Sequence, residues 1–391
     1  MYEIVSALAQ ETFSHGPGLC ENRRMNKIGV GLVGYGMIGK VHALAYREIP
    51  NIYPGVLPAL TLVAVCTTNE QSAQTAAHDG GFAAWTTNVE SLLSREDVDV
   101  VDVCTPNFAH HQIILAALRA GKSVIVEKPL ACTVTEAKEI AAAAATAKGR
   151  LGMIFNYRFV PALMLAQKMI AEGALGAIYH FEINYLHSGY QNPNRPLSWK
   201  LRRVQSGGGA LVDLGSHIID LARYLLGEFA KVEATTRTYV TERPVSATTS
   251  ERKPVDVDDA AWLQAKMQSG AQGTLFTTRF ATGAADDLNV QIYGERGAVK
   301  FSLEDANVLN YFDAQSKPAT QGWTRIHTGA QYQGAAVPPP RSILGWNRTH
   351  TENIYQFLRA LTQEKPFTPD VTDGLRVQKI IDDAYQSAAT R

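Results

Sequence analysis

The sequence predicts an α/β chain in two parts: an N-terminal doubly wound parallel sheet of the Rossmann type, then an α+β domain with a large, mostly antiparallel open sheet. Three observations lead there. Up to about residue 150, apolar runs alternate with helical segments of roughly ten to fifteen residues. The first run enters a Gly-x-Gly-x-x-Gly turn. Past residue 226, short alternating segments replace that rhythm.

In chain order, IGVGLV (28–33) is a β-branched apolar run, followed by the GYGMIG turn and by VHALAYREI (41–49) with helical spacing. LTLVAV (60–65) is a strand, QSAQTAAHD a helix, VDVVDVCTP (98–106) a strand, and QIILAALRAG a helix ending at Gly121. KSVIVEKP is the next strand, and TEAKEIAAAAATAKG is a helix closed by Gly149. Strands apolar on both faces, with helices between them, indicate a parallel sheet covered on both sides. After a strand at LGMIF (151–155) the rhythm changes. A helix at 161–172 leads to the strand AIYHFEINYL, a polar, aromatic loop (187–206), a Gly207-Gly208-Gly209 turn and one helix over 211–226. VEATTRTYV, AAWLQAKMQ, QGTLFTTRF, LNVQIYG and GAVKFSL then alternate as antiparallel strands. Two helices, 349–363 and 373–389, flank PFTPD and can pack back on the first domain.

Composition limits the function. The 391 residues contain 37 Lys+Arg and 37 Asp+Glu, a formal net charge of 0, so the broad basic field needed for a nucleic-acid partner is missing. No apolar run reaches the roughly 18 residues of a membrane span, and no membrane partner is expected. Cys20, Cys66, Cys104 and Cys132 form no CxxC pair. They read as reduced thiols of a cytoplasmic protein, without a disulfide framework or metal site. Residues 1–24 lack the order of a signal peptide and stand apart, as an arm or as an upstream extension of the reading frame. The expected division is therefore 1–24, 25–150 for the dinucleotide-binding domain, and 151–391 for the substrate and oligomerisation domain.

Four motifs carry chemistry. In Gly34-Tyr35-Gly36-Met37-Ile38-Gly39, Gly34 permits the tight turn, Gly36 admits a pyrophosphate close to the backbone, and Gly39 lets helix and strand touch; the helix start offers N–H groups to phosphate. The second strand ends Cys66-Thr67-Thr68-Asn69, with neither the acid that holds adenosine ribose hydroxyls nor an Arg for a 2′-phosphate. The segment 49–58 looks inserted, and the absence of a local cation favours NAD over NADP. Glu127-Lys128-Pro129 ends a core strand, where a lysine can serve a reacting oxygen or merely pair with water and Glu127. Asp213 and His217, four apart on the expected helix, point into one space as hydroxyl ligand and general base; an unrelated helix-start pair is the other reading.

Together, GLVGYGMIGKVH, CTPNFAHH, AGKSVIVEKPL and SWKLRRVQSGGGALVDLGSHIIDLARYLLGE resemble the Gfo/Idh/MocA oxidoreductases over residues 27 to about 390. Within that family, GKVHALAY, FNYRFVPA, LSWK and RYLLGEF resemble the sugar dehydrogenases of the levoglucosan dehydrogenase type. The resemblance implies Lys128, Asp213 and His217 as catalytic residues. Thr67, Thr105, Pro106, Asn107, His110, Glu127 and Lys128 would join Gly34, Gly36, Met37, Ile38 and Gly39 around NAD or NADP, with Lys128–Pro129 cis. It also implies a homodimer or homotetramer. A small neutral carbohydrate or polyol would be held by Asn156, Tyr157, Arg158, Tyr185, His187, Gln191, Trp199, Asp213 and His217. Asn347, Arg348 and His350 form a polar cluster able to close over the site. The expected reaction is hydride transfer between a nicotinamide cofactor and a secondary alcohol or ketone. The alternatives are an NAD-retaining glycoside hydrolase and a non-catalytic nucleotide-sensing regulator.

Overall fold

The computed structural model describes residues 26–329 and 332–390; the expectations for residues 1–24 and Cys20 lie outside them. The first part runs β1 (Lys27–Val33), α1 (Met37–Ile52), β2 (Ala59–Cys66), α2 (Glu70–Gly80), β3 (Ala84–Thr86), α3 (Val89–Leu93), β4 (Val100–Val103), α4 (Asn107–Arg119), β5 (Ser123–Glu127), α5 (Val134–Thr146) and β6 (Leu151–Ile154). All six strands are parallel in the order β3-β2-β1-β4-β5-β6. Strands β4, β5 and β6 are buried on both faces, which is what their unbroken apolar runs require. The order reverses between β2-β1 and β4, and the turns leaving β1 and β4 open a crevice there.

Strand β6 is a correction to the expected division at residue 150. It pairs with β5 and completes the first sheet, so the parallel sheet reaches Ile154. Helix α1 also continues past the expected end at 49, through Pro50, because Ile52 and Tyr53 are buried and Tyr53 stacks on Tyr355 with ring centroids 3.5 Å apart. Part of the apparent insertion is thus the last turn of a helix.

The second part continues with α6 (Pro161–Ala171), β7 (Ile178–Leu186), α7 (Arg203–Ser206), α8 (Ala210–Asp213), α9 (Gly215–Leu226), β8 (Phe229–Arg237), β9 (Glu242–Pro244), β10 (Arg252–Pro254), β11 (Ala260–Met267), β12 (Gln272–Thr278), β13 (Asp287–Gly294), β14 (Gly297–Ser302), β15 (Val308–Asp313), β16 (Trp323–His327), α10 (Asn347–Thr362) and α11 (Val371–Ala389). An eight-stranded sheet has the order β16-β15-β14-β13-β7-β12-β11-β8; β7 and β12 are parallel and the other neighbours antiparallel. Its inner face packs on α9, whose buried side includes His217, Ile218, Leu221, Ala222 and Leu225. The single helix expected over 211–226 is two helices, interrupted at Leu214.

The C-terminal helices return to the first sheet. Asn353 of α10 accepts from Phe155 N and donates to Met153 O, both at 3.1 Å, and Met153 N donates to Pro369 O at 2.9 Å. These bonds satisfy the backbone of β6 that would otherwise form an open edge. No helix among the described residues is long and apolar enough to cross a membrane.

Candidate active site

One cavity of about 1110 Å³ extends from the glycine turn, past the ends of β2 and β4, to Lys128 and His217. The three glycines have separate tasks. Gly34 has φ 91°, and a Cβ there would press on the Cys104 carbonyl; a Cβ on Gly39 would overlap the Gly34 carbonyl. At Gly36 a Cβ meets nothing within 4 Å, so the open side of this residue faces the cavity, which it lines with Met37 and Ile38. No side chain caps the start of α1, leaving its N–H groups for a ligand. Thr67, Thr105, Pro106 and Asn107 line the same cavity, and Thr105 Oγ1 is buried without a hydrogen-bond partner. A polar rim, an uncapped helix start and an orphaned hydroxyl fit a dinucleotide.

Lys128 and Asp213 meet at the opposite end. Lys128 Nζ donates to the Asp213 backbone carbonyl at 2.8 Å and to its Oδ1 at 3.0 Å. Lys200 Nζ lies 3.2 Å and Arg279 Nη2 3.0 Å from Asp213 Oδ2. Burial works against the charge of Asp213, but Lys200, Lys128 and Arg279 hold its carboxyl well below the usual carboxylate range. His217 sits in the same end of the cavity, so the break at Leu214 still delivers both side chains to one space. Burial, aided by the Lys128 charge, pushes His217 down to about 3, and its Nδ1 has no hydrogen-bond partner among the described residues. The imidazole is therefore neutral near pH 7.

Around this centre, Asn156, Tyr157, Tyr185, His187 and Trp199 line the cavity. Tyr157 and Tyr185 join hydroxyls at 2.6 Å, Tyr185 donates to Asp286 Oδ1 at 2.6 Å, and His187 Nε2 stands 3.1 Å from the same oxygen. Other expected residues lie elsewhere. Arg158 is buried against Asp220 (2.5 Å) and Asp373 (3.1 Å), an ion cluster behind the wall. Gln191 donates to Phe280 O and Thr282 Oγ1. His110 is buried with its ring nitrogens on Pro129 O (2.8 Å) and Thr105 O (3.0 Å); it ties two cavity turns together without lining the cavity. Gly39 acts from behind the turn. Lys128–Pro129 is cis. Of the cluster expected before the penultimate helix, all three residues lie in α10, and only His350 lines the cavity; Arg348 stays with Tyr53 and Glu352.

Sequence reasoning missed Lys200, Asp286 and Trp346 on the wall, and a buried chain below Lys128. His42 of α1 places Nδ1 2.9 Å from Asp102 Oδ2 and Nε2 3.3 Å from Glu127 Oε1; Tyr46 donates to Asp102 at 2.9 Å. Burial opposes its charge, yet Asp102 and Cys104 raise His42 well above an ordinary imidazole. Glu127, which burial alone would raise, is held down to about 2 by His42 and its neighbours. An acid inside the apolar run VDVVDV was the available signal, since buried charges are kept only when paired.

Comparison with known proteins agrees with this geometry. Residues 28–155 match the family model described as oxidoreductase family, NAD-binding Rossmann fold, and residues 163–300 match the GFO/IDH/MocA C-terminal domain. The chain is 35% identical to levoglucosan dehydrogenase of Pseudarthrobacter phenanthrenivorans, covering 93% of this chain and 97% of the relative. It is 26% identical to inositol 2-dehydrogenase of Rhizobium meliloti, covering 92% and 97%. A solved structure of levoglucosan dehydrogenase in complex with NADH and levoglucosan superposes with a TM-score of 0.89 at 35% identity, over 93% of this chain and 98% of that one.

Proposed function

The chain belongs to the Gfo/Idh/MocA oxidoreductases, and from that premise we propose that it oxidises a secondary hydroxyl of a cyclic sugar or polyol with NAD, through Lys128, Asp213 and His217. The observation that carries the reading is the Lys128–Asp213 pair beside a neutral His217, at the end of a cavity that begins in the glycine turn. Its size suits a dinucleotide with a small substrate.

When bound, NAD supplies the hydride acceptor. The protein supplies the rest. Asp213, saturated by three cations, fixes the direction of the Lys128 ammonium toward the substrate oxygen. His217 accepts the hydroxyl proton. Its low basicity in the free site is offset because loss of hydride from the substrate carbon acidifies the hydroxyl it bears, while Lys128 stabilises the negative charge that develops on that oxygen. Asp286 and His187 offer an acceptor and a ring N to further hydroxyls, and Tyr157, Tyr185 and Trp199 provide faces for the ring. The end of β2 supports NAD over NADP: Cys66, Thr67, Thr68, Asn69 and Ser72 line that wall without a cation for a 2′-phosphate.

The outward face of the eight-stranded sheet exposes Trp262 and Trp323, which supports a homodimer or homotetramer; light scattering gives its size. Buried free thiols at Cys66, Cys104 and Cys132 support a reducing, cytoplasmic setting. The central test is a sugar and polyol panel followed at 340 nm with NAD and NADP in parallel. Turnover with NAD on at least one neutral carbohydrate is expected. Lys128→Ala and His217→Ala should each lower turnover by orders of magnitude while NADH affinity stays within a few fold; near wild-type turnover in either removes the assignment.

A further inference from the structure

The buried chain Asp102–His42–Glu127 takes no part in the proton transfer described above, yet it ends on the cavity wall. Its geometry is that of a held anion. Asp102 grips His42 Nδ1 with both carboxylate oxygens, at 2.9 and 3.0 Å, and His42 turns Nε2 to Glu127 Oε1 at 3.3 Å. Glu127 Oε2 accepts Lys128 N–H at 3.1 Å, while the contact between His42 Nε2 and Glu127 Oε1 is an ion-pair distance without hydrogen-bond geometry. All three side chains are nearly or wholly buried, in surroundings that penalise every charge present.

We propose that Glu127, held by the His42–Asp102 pair, is a fixed anion that favours the oxidised over the reduced form of the bound nicotinamide cofactor. The inference rests on the proposed function, because hydride transfer requires the reactive ring to touch the substrate carbon served by Lys128, and so to lie beside Glu127, the preceding residue on the same wall. The ring is cationic when oxidised and neutral when reduced, so only the oxidised form responds strongly to local charge. The substrate end of the cavity is otherwise hostile to a cation: Lys128, Lys200 and Arg279 surround the single carboxylate of Asp213, and Asp286 stands across the wall beside His187. Glu127 supplies the missing negative charge, and His42 keeps it ionised.

The groups facing Glu127 decide how it titrates. On α1 it meets His42, on α10 His350 at 3.7 Å, and on its own strand Lys128; His110, His217, Tyr157 and Cys104 stand further out. Of these, the close and charged partners are His42 and Lys128, since burial keeps His350 and His217 neutral near pH 7. Removing His42 therefore takes away the largest influence holding the Glu127 carboxyl down and leaves burial to raise it.

Dissociation constants for NAD+ and NADH, measured on the full chain by equilibrium titration between pH 5 and 9, test this. In Glu127→Gln, which keeps the side chain's shape, NAD+ binding should weaken by about tenfold or more relative to NADH. In His42→Gln the ratio of the two constants should match wild type at the alkaline end and move to the Glu127→Gln value as pH falls, while wild type stays flat. Equal losses for both nucleotides, or a pH-independent ratio in His42→Gln, would overturn the proposal. If Glu127→Gln does not fold, the pH course of His42→Gln decides alone. A wild-type chain that binds neither nucleotide would instead sink the functional reading and this inference with it.

Discussion

His42 and His217 are both buried, yet their neighbours push them in opposite directions. His42 has a carboxylate on each side, which draws it toward the charged form against burial; His217 has the Lys128 ammonium nearby and an open Nδ1, and burial favours its neutral form. The difference has a consequence for stability. The unfolded chain protonates His217 near 6.5, whereas the folded protein resists until about 3, so over that window the unfolded state binds more protons and stability falls as pH falls. His217→Gln should flatten the pH dependence of unfolding free energy between about pH 4 and 6 by one proton, about 1.4 kcal/mol per pH unit, as measured by denaturant titration. An unchanged slope would mean that His217 protonates in the folded state. At this scale Lys128 was legible as a strand-end residue, whereas Asp213 and His217 share the cavity across a helix break at Leu214 that their spacing did not show. Arg158 and Gln191 were not legible, because a polar side chain in the right segment carries the same signal whether it faces a cavity or an ion partner behind it.

At the scale of elements, the glycine turn separates folding from binding. Gly36→Ala places a methyl in open cavity space, and should weaken NADH binding by tenfold or more while leaving the melting temperature within a few degrees. Gly39→Ala drives the methyl into the Gly34 carbonyl, and should lower the melting temperature itself. Thermal unfolding alongside NADH titration distinguishes the two; equal melting temperatures would contradict the assignment of roles. Apolar runs such as β1, β4 and β5 were readable because burial on both faces leaves an unbroken pattern. The short strands β3, β9 and β10, three residues each, carry too little pattern to see. Helix α1 runs through Pro50 for a tertiary reason: burial of Ile52 and Tyr53 against α10 outweighs the lost hydrogen bond.

Across the whole molecule, an ion cluster joins segments far apart in sequence. Arg158, from the turn after β6, pairs with Asp220 of α9 and Asp373 of α11, and Arg223 reaches Asp373 at 3.0 Å. Arg158→Met should cost about 3–5 kcal/mol of stability, because it leaves buried carboxylates short of a partner, and denaturant unfolding measures it. A loss below about 1 kcal/mol would show that solvent replaces the guanidinium. The same long-range closure brings His350 of α10 to 3.7 Å from Glu127 of β5, and Lys200 and Arg279 to Asp213. By itself the sequence determined the doubly wound sheet and the place of the glycine turn within it, because periodicity and spacing act between near neighbours in the chain; the catalytic reading of Lys128, Asp213 and His217 comes from the family resemblance. Only the tertiary structure decided which polar residues face the cavity, where α8 gives way to α9, and in which direction each buried histidine is pushed. Those outcomes depend on burial and on Coulomb partners brought together from distant segments, and local pattern contains neither.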